Sequence, residues 1–120
     1  MFEAFDTNKR NIGMANQEVI EKVKRFLLLL ESNGITVSKA YLFGSYTTGL
    51  ASVHSDIDVM VVSPAFDTRN DEMTGRAWSL TMKVDSRIEP YLVGLNRFLT
   101  DDVSPILEVV KQEGMEITWN

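Results

Sequence analysis

Apolar residues recur at helical spacing ahead of Ser32: Val19, Ile20, Val23, Phe26, Leu27 and Leu30 fall on one stripe. Asn16 is a residue type that caps helix N-termini. Asn33-Gly34 closes the run, with Gly34 suited to the left-handed position after a last turn. The spacing predicts a helix starting near Asn16, preceded by a loose arm over residues 1–15. Val37 to Phe43 is short, apolar and cut off by Gly44-Ser45, the pattern of a buried strand. Residues 44–55 form a polar, glycine-bearing connection with room for one helical turn. Asp56 to Val62 reads as a second strand, stopped by Ser63-Pro64. Residues 64–70 read as a loop, and Asp71 to Lys83 as a helix carrying Met73, Ala77, Trp78, Leu80 and Met82. Arg87 to Val93 reads as a third strand, in which Pro90 calls for a sheet edge or a bulge. Asp101 or Asp102 caps a last helix with Pro105 near its first turn. Gly114 ends that helix, and Met115 to Trp119 adds a short strand.

The order is helix, strand, loop, strand, helix, strand, helix. That is an α/β (α+β) arrangement, a small sheet covered by helices. Only 12 residues, Gly44 to Ser55, separate the first two strands. This is close to the minimum for a crossover, so strand direction stays open. A chain of 120 residues without repeat, low-complexity tract or linker reads as one domain, 1–120. The absence of cysteine excludes disulfides and thiolate metal sites. The first fifteen residues lack the basic start and apolar run of a secretory signal. The longest apolar stretch, Phe26 to Leu30, is far short of the ~20 residues a membrane helix needs. A cytoplasmic protein without a membrane partner is expected. The net charge of -5 argues against tracking a polynucleotide. Lys9-Arg10 and the group Lys22, Lys24 and Arg25 read as solvated surface.

Asp56 and Asp58 are the chemically informative pair. Side chains two apart on a strand share a face, so two carboxylates stand side by side where a buried strand begins. Like charges this close repel, and each loses solvation. A hard divalent cation such as Mg²⁺, which prefers oxygen ligands, relieves both costs. Alone, an Asp-x-Asp is more often two exposed residues at a strand end. Gly44-Ser45 alone is more often a plain turn. Together they read differently, because Gly44 lets the backbone approach a ligand and the amides after it, with the Ser45 hydroxyl, can donate to phosphate oxygens.

The segment Leu42-Phe43-Gly44-Ser45, Gly49, then Ser55-Asp56-Ile57-Asp58-Val59 resembles the Gly-Ser…Asp-x-Asp signature of the DNA polymerase β-like nucleotidyltransferase superfamily. It looks most like the minimal nucleotidyltransferases. The likeness is strong over residues 41–62 and elsewhere rests on length and element order. It implies a small mixed sheet covered by helices. It also implies transfer of a nucleoside monophosphate, AMP from ATP first among the candidates, to an acceptor hydroxyl. Asp56 and Asp58 would hold two Mg²⁺ ions, and Gly44 and Ser45 the β- and γ-phosphates. The family further implies a third carboxylate on a neighbouring strand. Glu89 is the best-placed candidate: on alternation Arg87, Glu89 and Tyr91 share one face. Asp85 is its rival and belongs more naturally to the preceding turn. Such proteins often act as the antitoxin half of a pair with a HEPN-type partner, adenylylating its tyrosine. Thr48 departs from the pattern, since many relatives carry Arg there, and no Lys or Arg lies between Lys39 and Arg69. The rival expectation is a nucleotide- or partner-binding module with the same fold and little or no turnover. His54 reads as a loop residue facing water. Tyr46, Trp78, Tyr91 and Trp119 read as packing residues before base-stacking ones. The acceptor and the oligomeric state are not legible.

Overall fold

The computed structural model describes the backbone of residues 2–119 and the side chains of residues 17–119. Helix α1 spans Phe2–Ser32. It starts well ahead of Asn16, so the predicted cap lies inside the helix and the stretch read as an arm is helical backbone. No proline interrupts residues 2–15, and an established helix gains one hydrogen bond per added residue. Its C-terminus is as predicted. Gly34 has a φ of 88°, the Ile35 N–H donates to the Leu30 carbonyl at 2.9 Å, and the Gly34 N–H donates to the Glu31 carbonyl at 3.2 Å. These two bonds satisfy carbonyls at the helix end and turn Ile35 into the core.

The remaining elements are β1 (Lys39–Phe43), α2 (Ser45–Thr48), β2 (Ile57–Ser63), α3 (Asp71–Thr81), β3 (Ile88–Gly94), α4 (Leu95–Thr100), α5 (Pro105–Glu113) and β4 (Met115–Glu116). A 3-10 turn at Pro64–Phe66 occupies part of the predicted loop. Val37 is buried yet outside β1, because burial does not require strand pairing. Asp56 and Arg87 each stand one residue before the strand they were predicted to open. Helix α3 stops at Thr81, whose hydroxyl donates to the Trp78 carbonyl at 2.7 Å. The N-cap of α5 is Ser104, without a side-chain cap bond, so neither Asp101 nor Asp102 caps that helix as predicted; Asp101 instead accepts from the amides of Val103 and Ser104, both at 3.0 Å, in the turn before it. Helix α4 was not expected.

The sheet order is β3-β2-β1-β4. β1 runs antiparallel to β2 and β4, while β2 and β3 are parallel and joined through α3. Pro90 lies in edge strand β3, where a missing N–H costs least. One sheet face buries Ala40, Leu42, Ile57, Val59 and Ile88 under Val23, Phe26, Leu27 and Leu30 of α1 and Ala77 and Leu80 of α3. The other buries Phe43, Met60, Val62 and Val93 against Phe98 of α4 and Leu107 and Val110 of α5. Strand β2 has apolar positions on both faces, which explains its nearly unbroken run of apolar residues. Asp58 is the exception, occupying the first position of β2 on the α4–α5 face. Among the described residues, no helix is long and apolar enough to cross a membrane.

Candidate active site

The strand directions bring three chain segments to one end of the sheet. β1 ends there, and β2 and β3 begin there. Asp58 is paired with Phe43 of β1 on one side and with Glu89 of β3 on the other. Residues directly opposite on neighbouring strands share a face, so Asp58 and Glu89 stand side by side. Asp56 lies on the exposed approach to β2, while Asp58 and Glu89 are half-buried. The Tyr91 hydroxyl donates to Glu89 Oε1 at 3.3 Å, and its ring packs edge-on against Phe43 with centroids 5.1 Å apart. Burial first, and the neighbouring Glu89 next, push the Tyr91 pKa up, so the phenol stays a donor.

The carboxylates feel one another. Burial, then Glu89, then Asp56 push the Asp58 carboxyl up to about 6. Among the described residues, no Lys or Arg pairs with Asp56, Asp58 or Glu89. Negative charge is therefore gathered here without internal compensation. Among the described residues, no three acidic or histidine side chains are yet closed around a single point. The donor set is nonetheless all carboxylate oxygen, the set that hard divalent cations favour.

Gly44 follows directly. Its φ of 77° and ψ of -142° belong to glycine. A Cβ at this position would overlap Asp58 Oδ2 and lie 3.2 Å from Asp58 Cγ. The Asp58 carboxylate thus occupies the space that any other residue at 44 would fill. α2 begins at Ser45, and the Gly44 carbonyl accepts from both the Thr47 N–H and the Thr47 hydroxyl, each at 3.0 Å. The Thr48 hydroxyl turns back to the Ser45 carbonyl at 3.4 Å.

Asp85, the rival third carboxylate, is committed elsewhere. It accepts from Lys22 Nζ at 2.7 Å and from Arg87 Nη2 at 2.9 Å, and its side chain is 12% exposed. Hydrogen bonds from Arg87, chief among the causes, hold its carboxyl well below the usual carboxylate range. Arg87 does not share the Glu89 face as alternation predicted. It stands before β3, and its guanidinium turns to Asp85, Tyr46 and Val53. The sequence reading missed this network; the visible signal was the opposite charges of Asp85 and Arg87 two residues apart. We expect Asp85→Asn to cost about 2 kcal/mol at pH 7, the scale for hydrogen bonds to charged groups. Because the folded carboxyl is the stronger acid, that difference should persist above pH ~4 and fade as Asp85 protonates in more acid solution. Thermal denaturation of both proteins between pH 3 and 7 checks this.

His54 is exposed in the loop before β2. Tyr46 is buried, and Trp119 Nε1 donates to Glu31 Oε1 at 2.9 Å on α1. Trp78 is 45% exposed. With Arg69 and with Glu89, Tyr91 and Leu92 of β3 it lines an open groove of about 460 Å³.

The family model described as a nucleotidyltransferase domain matches residues 20–114. The chain belongs to the nucleotidyltransferase domain family. An inferred nucleotidyltransferase from Sulfolobus solfataricus superposes with a TM-score of 0.56 at 15% identity, over 72% of this chain and 76% of its own. At that identity it supports the polymerase β-like fold. A chain of a toxin–antitoxin complex with AMP-PNP superposes with a TM-score of 0.55 at 26% identity, over 81% of this chain and 73% of its own. A variant of the MntA–HpeT toxin–antitoxin complex gives 0.54 at 26% identity, over 80% and 72%. No curated protein matches the chain. The matched residues include the glycine–serine turn and the carboxylates, the candidate site where β1 ends and β2 and β3 begin.

Proposed function

We propose that this nucleotidyltransferase domain, residues 1–120, moves a nucleoside monophosphate from a nucleoside triphosphate to an acceptor hydroxyl on a partner protein. ATP is the first candidate donor. The role is that of an antitoxin acting in the cytoplasm on a HEPN-type toxin. One observation carries the reading: Asp58 pairs directly with Glu89 across β2 and β3 while its carboxylate packs on Gly44. The likeness to chains of toxin–antitoxin complexes, one of them with AMP-PNP, supports the choice of nucleotide and partner.

In this reading Asp56, Asp58 and Glu89 are the residues that would hold two divalent cations, Mg²⁺ first among them. When bound, such ions neutralise polyphosphate charge and activate an acceptor oxygen. The Ser45 hydroxyl and the amides after Gly44 donate to the β- and γ-phosphates, aligning the triphosphate. The acceptor oxygen bonds to the α-phosphorus, the bond from that phosphorus to the bridging oxygen breaks, and pyrophosphate leaves. Glu89, beside Asp58, takes the acceptor's proton as the new bond forms. The groove beside Glu89 admits the acceptor. Alignment and charge stabilisation supply most phosphoryl-transfer catalysis, so few further groups are needed.

The test is incubation with each α-labelled nucleoside triphosphate, Mg²⁺ and the protein encoded beside this one. We expect label on the partner and an equal yield of pyrophosphate, both abolished by EDTA. Absence of label and pyrophosphate with all four nucleotides would defeat the reading. A second reading is a nucleotide- or partner-binding module without turnover. Thr48, turned back on Ser45, favours it, because it supplies no cation to the triphosphate. Calorimetric titration with and without Mg²⁺, showing binding without pyrophosphate release, identifies that case.

A further inference from the structure

The loop that carries the glycine–serine turn is fastened from outside itself. Between α2 and β2 its apolar side chains give little anchorage: Leu50 is 80% and Val53 76% exposed. Only Ala51 packs against the core. The fastening comes from Arg87. Its Nη1 donates to the Tyr46 hydroxyl at 3.1 Å and to the Val53 carbonyl at 2.9 Å. Its Nε donates to Asp85 Oδ1 at 3.1 Å, and its main-chain carbonyl accepts from the Ile57 N–H at 2.8 Å. Tyr46 in turn donates to the Ser52 carbonyl at 3.1 Å. One guanidinium therefore grips α2 just after Gly44-Ser45 and also grips Val53, three residues before Asp56. Asp85 holds that guanidinium in register, and Lys22 of α1 holds Asp85.

We propose that Arg87, acting with Tyr46, is a positioning residue that fixes residues 45–56, so that the turn amides and Asp56 stand beside Asp58. The idea rests on the transferase reading above. Arg87 makes no bond to Asp56, Asp58 or Glu89 among the described residues; it acts through the loop. A planar fork reaches acceptors on three segments at once, which a lysine ammonium on a flexible stem does poorly. If the grip is lost, the loop spends less time in the competent arrangement. Apparent substrate affinity then falls by that fraction, while bound nucleotide and cation restore the arrangement.

The test compares the full chain with Arg87→Met, Arg87→Lys and Tyr46→Phe. Hydrogen exchange of residues 45–56 is measured without nucleotide, and KM and kcat are measured for the nucleoside triphosphate. In Arg87→Met we expect exchange over 45–56 to quicken about tenfold, the scale for losing bonds to a charged group. KM should rise about tenfold with kcat held within roughly threefold. Arg87→Lys should fall between that variant and the wild type, and Tyr46→Phe, which keeps the ring packing, should give about threefold in exchange and KM. A purely structural role predicts a lower melting temperature with KM unmoved well below it. Unchanged exchange over 45–56, or unchanged KM in folded variants, would overturn the proposal. If Arg87→Met does not fold, Tyr46→Phe decides. If the wild type transfers no nucleotide, the transferase reading fails, and the exchange measurement still decides whether Arg87 fixes the loop.

Discussion

Asp58→Asn is expected to abolish nucleotide transfer and, at pH 7.5, to raise the melting temperature by about 4 °C. The two effects have one cause. The Asp58 carboxylate is partly withdrawn from water and faces Glu89 and Asp56 with no Lys or Arg beside it among the described residues. Its charge costs the folded chain free energy until a cation arrives. Asparagine keeps the shape and removes the charge. Since Asp58 remains partly open to solvent, screening leaves a gain of about 1 kcal/mol, hence the few degrees for a chain of this size. Loss of a group that aligns and neutralises a polyphosphate should lower kcat at least ~1000-fold, the scale of removing a key electrostatic contact. Mg²⁺ with nucleotide should raise the wild-type melting temperature and leave the variant nearly unmoved, because ligands stabilise only the state that binds them.

The pH dependence has a definite sign. The folded carboxyl, at about 6, is a weaker acid than an ordinary aspartate at 3.8. The folded state therefore holds this proton more tightly than the unfolded chain. Asp58 destabilises the fold above pH ~6, and the penalty disappears as pH falls toward ~4. The advantage of Asp58→Asn should shrink over the same interval and vanish below it. Paired melting curves at pH 4, 5, 6 and 7.5 measure this, and a constant difference across the series would contradict the account. Asp85 affects both proteins equally and cancels from the comparison.

Much of the geometry of the candidate site was legible because two short-range rules suffice for it. Alternation along a strand gives Asp58 its face, and a glycine before a serine at a strand end marks a special backbone. The family resemblance called for a third carboxylate, Asp85 was set aside as part of the turn before the strand, and the parallel register of β2 and β3 sets the remaining candidate, Glu89, opposite Asp58. What failed depended on partners remote in sequence. Arg87 was assigned to the Glu89 face by counting residues, but it stands before β3 and finds acceptors at Tyr46 and Val53, 41 and 34 residues away. Helix α4 was missed because Leu95 and Phe98 span less than two turns, too short for periodicity to register. They become informative only when Phe98 stacks on Tyr41 with centroids 5.5 Å apart. The start of α1 was misplaced because Asn16 resembles a cap, and a cap residue type inside a longer helix looks no different in sequence.

Gly44→Ala should damage both fold and activity, in contrast to Asp58→Asn. Two independent obstacles meet at this residue. The backbone angles, φ 77° and ψ -142°, lie in a region that residues with a Cβ adopt only at a cost of about 1–3 kcal/mol. The added methyl would also overlap Asp58 Oδ2, so either the turn or the carboxylate must move. Relieving the first obstacle by rotating the backbone would pull the Gly44 carbonyl from Thr47, whose N–H and hydroxyl both depend on it. Relieving the second would swing Asp58 away from the turn that aligns the phosphates. We expect a loss of roughly 3 kcal/mol in stability. Activity should fall about 100-fold, the scale of misplacing an aligned group by about 1 Å. The double variant Gly44→Ala with Asp58→Gly gives the sharper measurement. It removes the overlap and keeps the backbone strain, so it should recover part of the stability lost in Gly44→Ala and none of the activity. Equal stability of the single and double variants, after correction for Asp58→Gly alone, would show that the contact between residues 44 and 58 does not shape the site.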